Sequence, residues 1–153
     1  MKRFRFRLET KLRLISTEEN IAKSEVARRL QEYEEQTRLL LACEQELESL
    51  YERLRPMKSK AFSLQEIIAI REYLPVLQER IQLQRMRSEQ AFEELNRARH
   101  RLYEIIKERK ALEKLKEKRW RAYIKEFHRQ EQSVLDEAAT TRFYQVRVKG
   151  NRS

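Results

Sequence analysis

The stretch LETKLRLISTEENIAKSEVARRLQEYEEQTRLLLACEQELESLYERL, residues 8–54, decides the fold. Its seam positions advance in alternating steps of four and three. They read Leu8, Leu12, Ile15, Glu19, Ala22, Val26, Arg29, Tyr33, Gln36, Leu40, Cys43, Leu47, Leu50 and Leu54, with only Glu19, Arg29 and Gln36 breaking the apolar run. A seven-residue repeat sustained in this way belongs to a helix that packs along a narrow seam against another helix. At ~1.5 Å per residue such a helix is roughly 70 Å long.

Working outward, the pattern stops at Arg55-Pro56. Proline disfavours helix at the residue before it and withdraws a main-chain donor. Lys58, Ser59 and Lys60 read as an exposed turn, and Ser63-Leu64-Gln65-Glu66 as a capping box that opens a second helix. The second seam is Ile67, Ile70, Leu74, Leu77, Ile81, Gln84, Ser88, Ala91, Leu95, Ala98, Leu102 and Ile105. Pro75 lies inside it and is expected to kink the helix or split off residues 63–74. Past Arg109 the apolar register slips. Leu112 and Leu115 are followed by Trp120, Ile124, Phe127 and Val134 in another phase, which usually marks the end of regular pairing.

A short loop makes two long helices antiparallel neighbours. The expected fold class is therefore all-α: a long two-helix antiparallel coiled coil whose second helix is kinked near Pro75 and projects past the first. The expectation is one elongated domain, with helix 1 over about 4–55, a turn over 56–62, helix 2 over about 63–142 and a frayed tail over 143–153. With the turn near residue 59, Leu8 should face roughly residue 110, and about 111–142 should project as a single strand.

Composition agrees. One Gly and two Pro in 153 residues leave few turns to build, and 39% of the chain is charged. A mean hydropathy of −0.89 rules out a thick core. No apolar run approaches the ~20 residues needed to span a bilayer. The start MKRFRFRLETKLRL lacks the apolar core of a signal peptide, and a transit-peptide reading of it is set aside. The lone Cys43 cannot form an intramolecular disulfide and fits a reducing compartment, the cytoplasm.

The net charge of +10 is sorted along the chain: about +5 in residues 1–15, about −4 in 16–96 and about +9 in 97–153. A hairpin brings the two basic segments to one end. There Lys110, Lys114 and Lys118 form one row of like charges, and Arg121, Lys125 and Arg129 another. Two readings stand: a solvated face, or an electropositive plug steered into an acidic socket on a partner. Nucleic acid is not the expected partner, since no zinc-finger, homeodomain or RNA-binding signature is present.

No chemistry is legible, and no enzyme, cofactor or metal is expected. A single Gly excludes a phosphate-binding loop. His100 and His128 lack a companion at ligand spacing and read as surface residues, and Cys43 reads as a small seam residue. Aromatics gather in two places. Tyr51, Phe62 and Tyr73 sit near the turn, where Tyr51 and Phe62 could cover the hairpin tip. Trp120, Tyr123, Phe127, Phe143 and Tyr144 lie on the projecting strand, where an unpaired apolar stripe marks a binding or self-association face.

The segments FRFRLETKLRL (4–14) and RKALEKLKEKRWRAYIKEFHRQEQSVLDEAA (109–139) resemble the FliJ family of flagellar export proteins, above all in EKLKEKR (113–119) and DEAA (136–139). The resemblance covers almost the whole chain. It implies a soluble, non-catalytic component of the flagellar type III export apparatus, cytoplasmic and peripheral at the inner membrane. Members resemble the central stalk of rotary ATPases. They enter the export ATPase ring and promote its hexamer, touch the cytoplasmic domain of the export-gate membrane protein, and escort empty export chaperones. On this resemblance the ATPase-contact candidates are Arg3, Arg5, Arg7, Lys11, Arg13, Lys114, Lys116, Lys118, Arg119 and Arg121. The export-gate candidates are Leu47, Tyr51, Tyr73 and Leu77. Competing readings are a structural homodimeric coiled-coil scaffold and the equivalent stalk of a virulence secretion system.

Overall fold

The computed structural model describes residues 3–57 and 63–150. They form two helices, α1 (Glu9–Met57, 49 residues) and α2 (Leu64–Gly150, 87 residues), and no strand among the described residues. By contact the chain divides into two units, residues 17–106 and residues 1–16 with 107–153. Each contains a piece of both helices.

In the 17–106 unit the helices are antiparallel. Glu46 meets Tyr73, Glu44 meets Arg85, Gln36 meets Gln84 and Arg29 meets Glu94. All the expected seam residues of both helices are buried or half-buried. Leu77 and Leu95 have 0% exposure, with Ile81, Ala98 and Ala22 buried beside them in sequence register.

The three polar interruptions of the first seam are all engaged. Glu19 is buried and pairs with Lys23 at 2.8 Å. Gln84 Nε2 donates to the Gln36 carbonyl at 3.0 Å and to Gln36 Oε1 at 2.7 Å. Arg29 binds Glu25 and Glu32 on its own helix, each at 3.0 Å, and Glu94 on the other. Such polar layers cost stability relative to Leu but admit one register, because a slipped pairing strands a buried donor. No buried side-chain polar atom among the described residues lacks a partner.

Hydrogen bonds from Arg28 and then Arg29 hold the Glu25 carboxyl below its ordinary value. A lowered carboxylate contributes stability above the unfolded-state pKa and loses it as pH falls through the folded value. The melting temperature should therefore drop on acidification from pH 7 to pH 3, and Glu25→Gln should narrow that difference in a thermal melt followed by circular dichroism.

Several boundaries differ from the sequence expectation. Helix α1 starts at Glu9, not near residue 4: residues 3–8 are non-helical and run on along α2, with Phe6 under Arg119 and Phe4 against Trp120. It ends at Met57, one residue past Pro56. Helix α2 begins at Leu64, with the Ser63 carbonyl accepting from the Glu66 and Ile67 amides at 3.1 and 3.4 Å. The helix continues through Pro75 and does not split there. Pro75 is exposed, and it withdraws one main-chain donor from the helix and crowds the carbonyl one turn earlier without ending it. At its far end α2 reaches Gly150, so the fray expected from 143 does not appear in 143–150. No breaker precedes that glycine, and Arg147 and Lys149 favour the helix C-terminus. The expected turn at Lys58–Lys60, and Phe62 at the tip, lie outside the described residues.

In the unit of residues 1–16 with 107–153 the pairing is again antiparallel: Lys11 reaches Glu108, Glu9 reaches Lys116, and Phe4 packs on Trp120. Residue 9 is thus opposite 116, where the expectation put residue 8 opposite roughly 110. The Lys11–Glu108 pair, by contrast, lies within one residue of the expected register. The seam also does not stop at 109. It continues through Arg109, Leu112, Lys116, Arg119 and Tyr123, at the same steps of four and three. Leu112 is buried, Arg109, Lys116 and Tyr123 are half-buried, and Arg119 lies over Phe6. The apparent slip is a change in residue chemistry, with alkyl stems of basic side chains filling seam positions. Single-helix character begins at His128, from which every residue to Gly150 is exposed.

Candidate functional site: the basic terminal unit

Residues 3–7 read Arg-Phe-Arg-Phe-Arg. In an extended chain alternate side chains point to opposite sides. Phe4 and Phe6 turn inward, half-buried and buried, while Arg3, Arg5 and Arg7 stay exposed. Phe4 meets Trp120 edge to face at 5.0 Å and Tyr123 at 5.4 Å. Trp120 stacks on Tyr123 at 5.6 Å, and Tyr123 on Phe127 at 6.4 Å. The Arg119 guanidinium carbon lies 5.9 Å from the Phe6 ring centroid, a cation–π contact. A turn from the Glu9 amide to the Phe6 carbonyl, 3.2 Å, then feeds the strap into α1.

The aromatic stripe expected to lack a partner is therefore partly covered by the chain's own start. Trp120 remains 45% exposed. The missed signal was the two-residue alternation at 3–7, which does not have a helical period.

Beside the strap lies an open hollow of about 1000 Å³, lined by Arg3, Arg5, Arg7, Arg13 and Lys116 with Phe4, Phe6, Glu9 and Thr10. Lys116 pairs with Glu9 at 2.8 Å. Arg3, Arg5 and Arg7 make no ion pair with a described residue, which leaves three guanidinium groups for an anionic partner. Residues 1–16 with 107–153 hold twenty Lys and Arg against eight Asp and Glu, a net +12, while residues 17–106 carry −2.

The ten basic candidates do not form one patch. Five of them line the hollow: Arg3, Arg5, Arg7, Arg13 and Lys116. Lys11 is tied to Glu108 at 3.4 Å, and Arg119 sits on Phe6. Lys114, Lys118 and Arg121 follow at i, i+4 and i+7, on the side of α2 turned away from Lys116 by helical geometry. Arg121 pairs with Glu117, whereas Lys114 and Lys118 are exposed and make no ion pair with a described residue.

The other candidate set lies in the 17–106 unit. Tyr73 Oη donates to Glu46 Oε1 at 2.7 Å, and this bond pushes the phenol above its ordinary value. Gln78 Nε2 donates to Tyr51 Oη at 3.3 Å. Leu47 is half-buried and, with Tyr51, Leu54 and Arg55, lines an open groove of about 690 Å³. Leu77 is a core residue with no surface of its own. The sequence reading also passed over Leu64, Ile68, Val76, Leu83 and Met86, which are exposed on α2. They fall off the seam, and a search for one stripe per helix does not count them.

Cys43 is half-buried on the seam and His128 is exposed beside Glu131, 3.5 Å away. Among the described residues no group of three His, Cys, Asp or Glu could hold a metal, and no helix is long and apolar enough to cross a membrane.

No curated protein and no solved structure matches the chain. The family described as flagellar FliJ protein matches residues 4–147, a span that takes in the strap, both helices and nearly all of the extension. The chain belongs to the FliJ family, and with it to the components of the flagellar export apparatus.

Proposed function

We propose that the chain is the stalk of the export apparatus. Its basic terminal unit binds the export ATPase ring and promotes ring assembly, and its 17–106 unit links the ring to the export gate and to export chaperones. The observation that carries this reading is the sorting of charge: +12 on residues 1–16 with 107–153, and −2 on the rest. A field of that size steers the terminal unit toward an acidic lumen. The strap holds Arg3, Arg5 and Arg7 outward on a non-helical backbone, and Lys114, Lys118 and Arg121 present a second basic face on α2. An asymmetric insert of this kind touches the subunits of a ring unequally.

Gate contact falls to the groove at Leu47 and Tyr51 with the Tyr73 hydroxyl, and Leu77 supports it from the core. On this reading the protein works in the cytoplasm, peripheral to the membrane at the export apparatus, as a regulator of the ATPase and not as a catalyst.

The test is ATPase activity and ring assembly of the cognate export ATPase, with and without this chain. Two variants separate the faces: Arg3→Gln/Arg5→Gln/Arg7→Gln, and Lys114→Gln/Lys118→Gln/Arg121→Gln. Loss of three rim charges should raise the half-saturating concentration about tenfold in either variant, with circular dichroism unchanged. Absence of binding and stimulation by the native chain would remove the reading.

A further inference from the structure

We infer that the exposed end of α2, about residues 131–149, is a self-association site that pairs antiparallel with the same segment of a second copy of this chain. The inference stands on the segment itself and does not depend on the export reading.

The segment is helical, and no other part of the chain among the described residues packs against it. Every residue from His128 to Gly150 is exposed, including Leu135 at 68%, Phe143 at 63% and Val146 at 71%. At 100° per residue, Leu135, Ala139, Phe143 and Val146 fall within one face less than a quarter-turn wide. Unlike the seam of α1, this stripe packs against no other part of the chain among the described residues. The segment also has poor intrinsic support: Thr140, Thr141, Phe143, Tyr144, Val146 and Val148 are β-branched or aromatic and weak helix formers. A partner helix would stabilise it.

The charges identify the occupant. Residues 126–137 carry Glu126, Glu131, Asp136 and Glu137 against Arg129, and residues 138–150 carry Arg142, Arg147 and Lys149 with no acid. The segment is thus −3 in its first half and +3 in its second. Asp136, Glu137, Arg142, Arg147 and Lys149 make no ion pair with any described residue. A helix that is acidic then basic complements itself only when the second copy runs the other way.

The register follows from the stripe. Setting Ala139 of each copy against Phe143 of the other makes two small-against-large layers. Asp136 then lies beside Arg147 of the second copy on one flank, and Glu131 beside Lys149 on the other. Each relation occurs twice, as a two-fold axis requires.

The experiment is sedimentation equilibrium on the full chain over a hundredfold concentration range, with helix content checked by circular dichroism. The native chain should show a monomer–dimer equilibrium. Glu131→Lys/Asp136→Lys and, separately, Arg147→Glu/Lys149→Glu should each weaken it at least tenfold, and one chain carrying all four reversals should dimerise again. Parallel pairing sets like charge against like in all of these chains, so only the antiparallel arrangement gives loss followed by rescue. A native chain monomeric throughout overturns the inference. A dimer indifferent to the single reversals overturns it too, because association then lies elsewhere, as in exchange of the long seams.

Discussion

Truncating Leu77 or Leu95 to Ala should lower the free energy of unfolding by about 2–5 kcal/mol each, read from urea titrations followed by circular dichroism. Both are at 0% exposure, the most deeply buried large side chains of the 17–106 unit. A two-helix seam has no second layer of core to relax into a cavity, so the upper half of that range is expected. Leu83→Ala on the same helix is the control. Leu83 is exposed, and its truncation should stay within about 0.5 kcal/mol. Leu77→Ala also bears on the proposed gate contact. If Leu77 acts only through the core, its loss should reduce gate binding no more than does an equally destabilising Leu95→Ala. A larger loss at Leu77 would place it in the contact itself.

The contrast between Leu77 and Leu83 is one that sequence periodicity resolves well. A heptad is a statement about which side of a helix faces a neighbour, and both seams were readable from Leu8 to Leu54 and from Ile67 to Ile105. The polar members were readable as positions but not as partners. Nothing in the sequence pairs Gln36 with Gln84, because that depends on where the linker lets α1 end.

The reading failed where seam chemistry changed. At Arg109, Lys116 and Arg119 the helix still faces a neighbour, but the residues that fill the seam are long, basic and only partly apolar, so an apolar count sees a break. It failed again at residues 3–7, where the alternation of Phe and Arg has the period of an extended chain. There the neighbour of Trp120 turned out to be a residue more than a hundred positions earlier. The basic candidates were legible as a cluster of charge. Their division between the hollow and the outer row of α2 was not, because it follows from the strap.

The strap sets the second large effect. Phe4→Ala/Phe6→Ala should free residues 3–8 from α2 and cost the terminal unit on the order of 2–4 kcal/mol, below the value for two fully enclosed rings because Phe4 is only half-buried. Trp120 is the chain's single tryptophan, so its fluorescence reports on this site alone. Its emission should move to the red and its quenching by acrylamide should rise, since the Phe4 ring 5.0 Å away is its cover. Amides in the first turns of α1 should exchange faster, because the turn from Glu9 to the Phe6 carbonyl is lost with the strap. The charge on Arg3, Arg5 and Arg7 is untouched by these substitutions, which makes the variant informative about function. If the arginines act only through the summed field of +12, ATPase stimulation should survive the loss of the strap. If they act as a fixed array around the hollow, stimulation should fall as expected for the triple glutamine variant, because mobile side chains must be reordered for each contact. Both rings turned in, with Arg3, Arg5 and Arg7 exposed, is the arrangement that the second outcome requires.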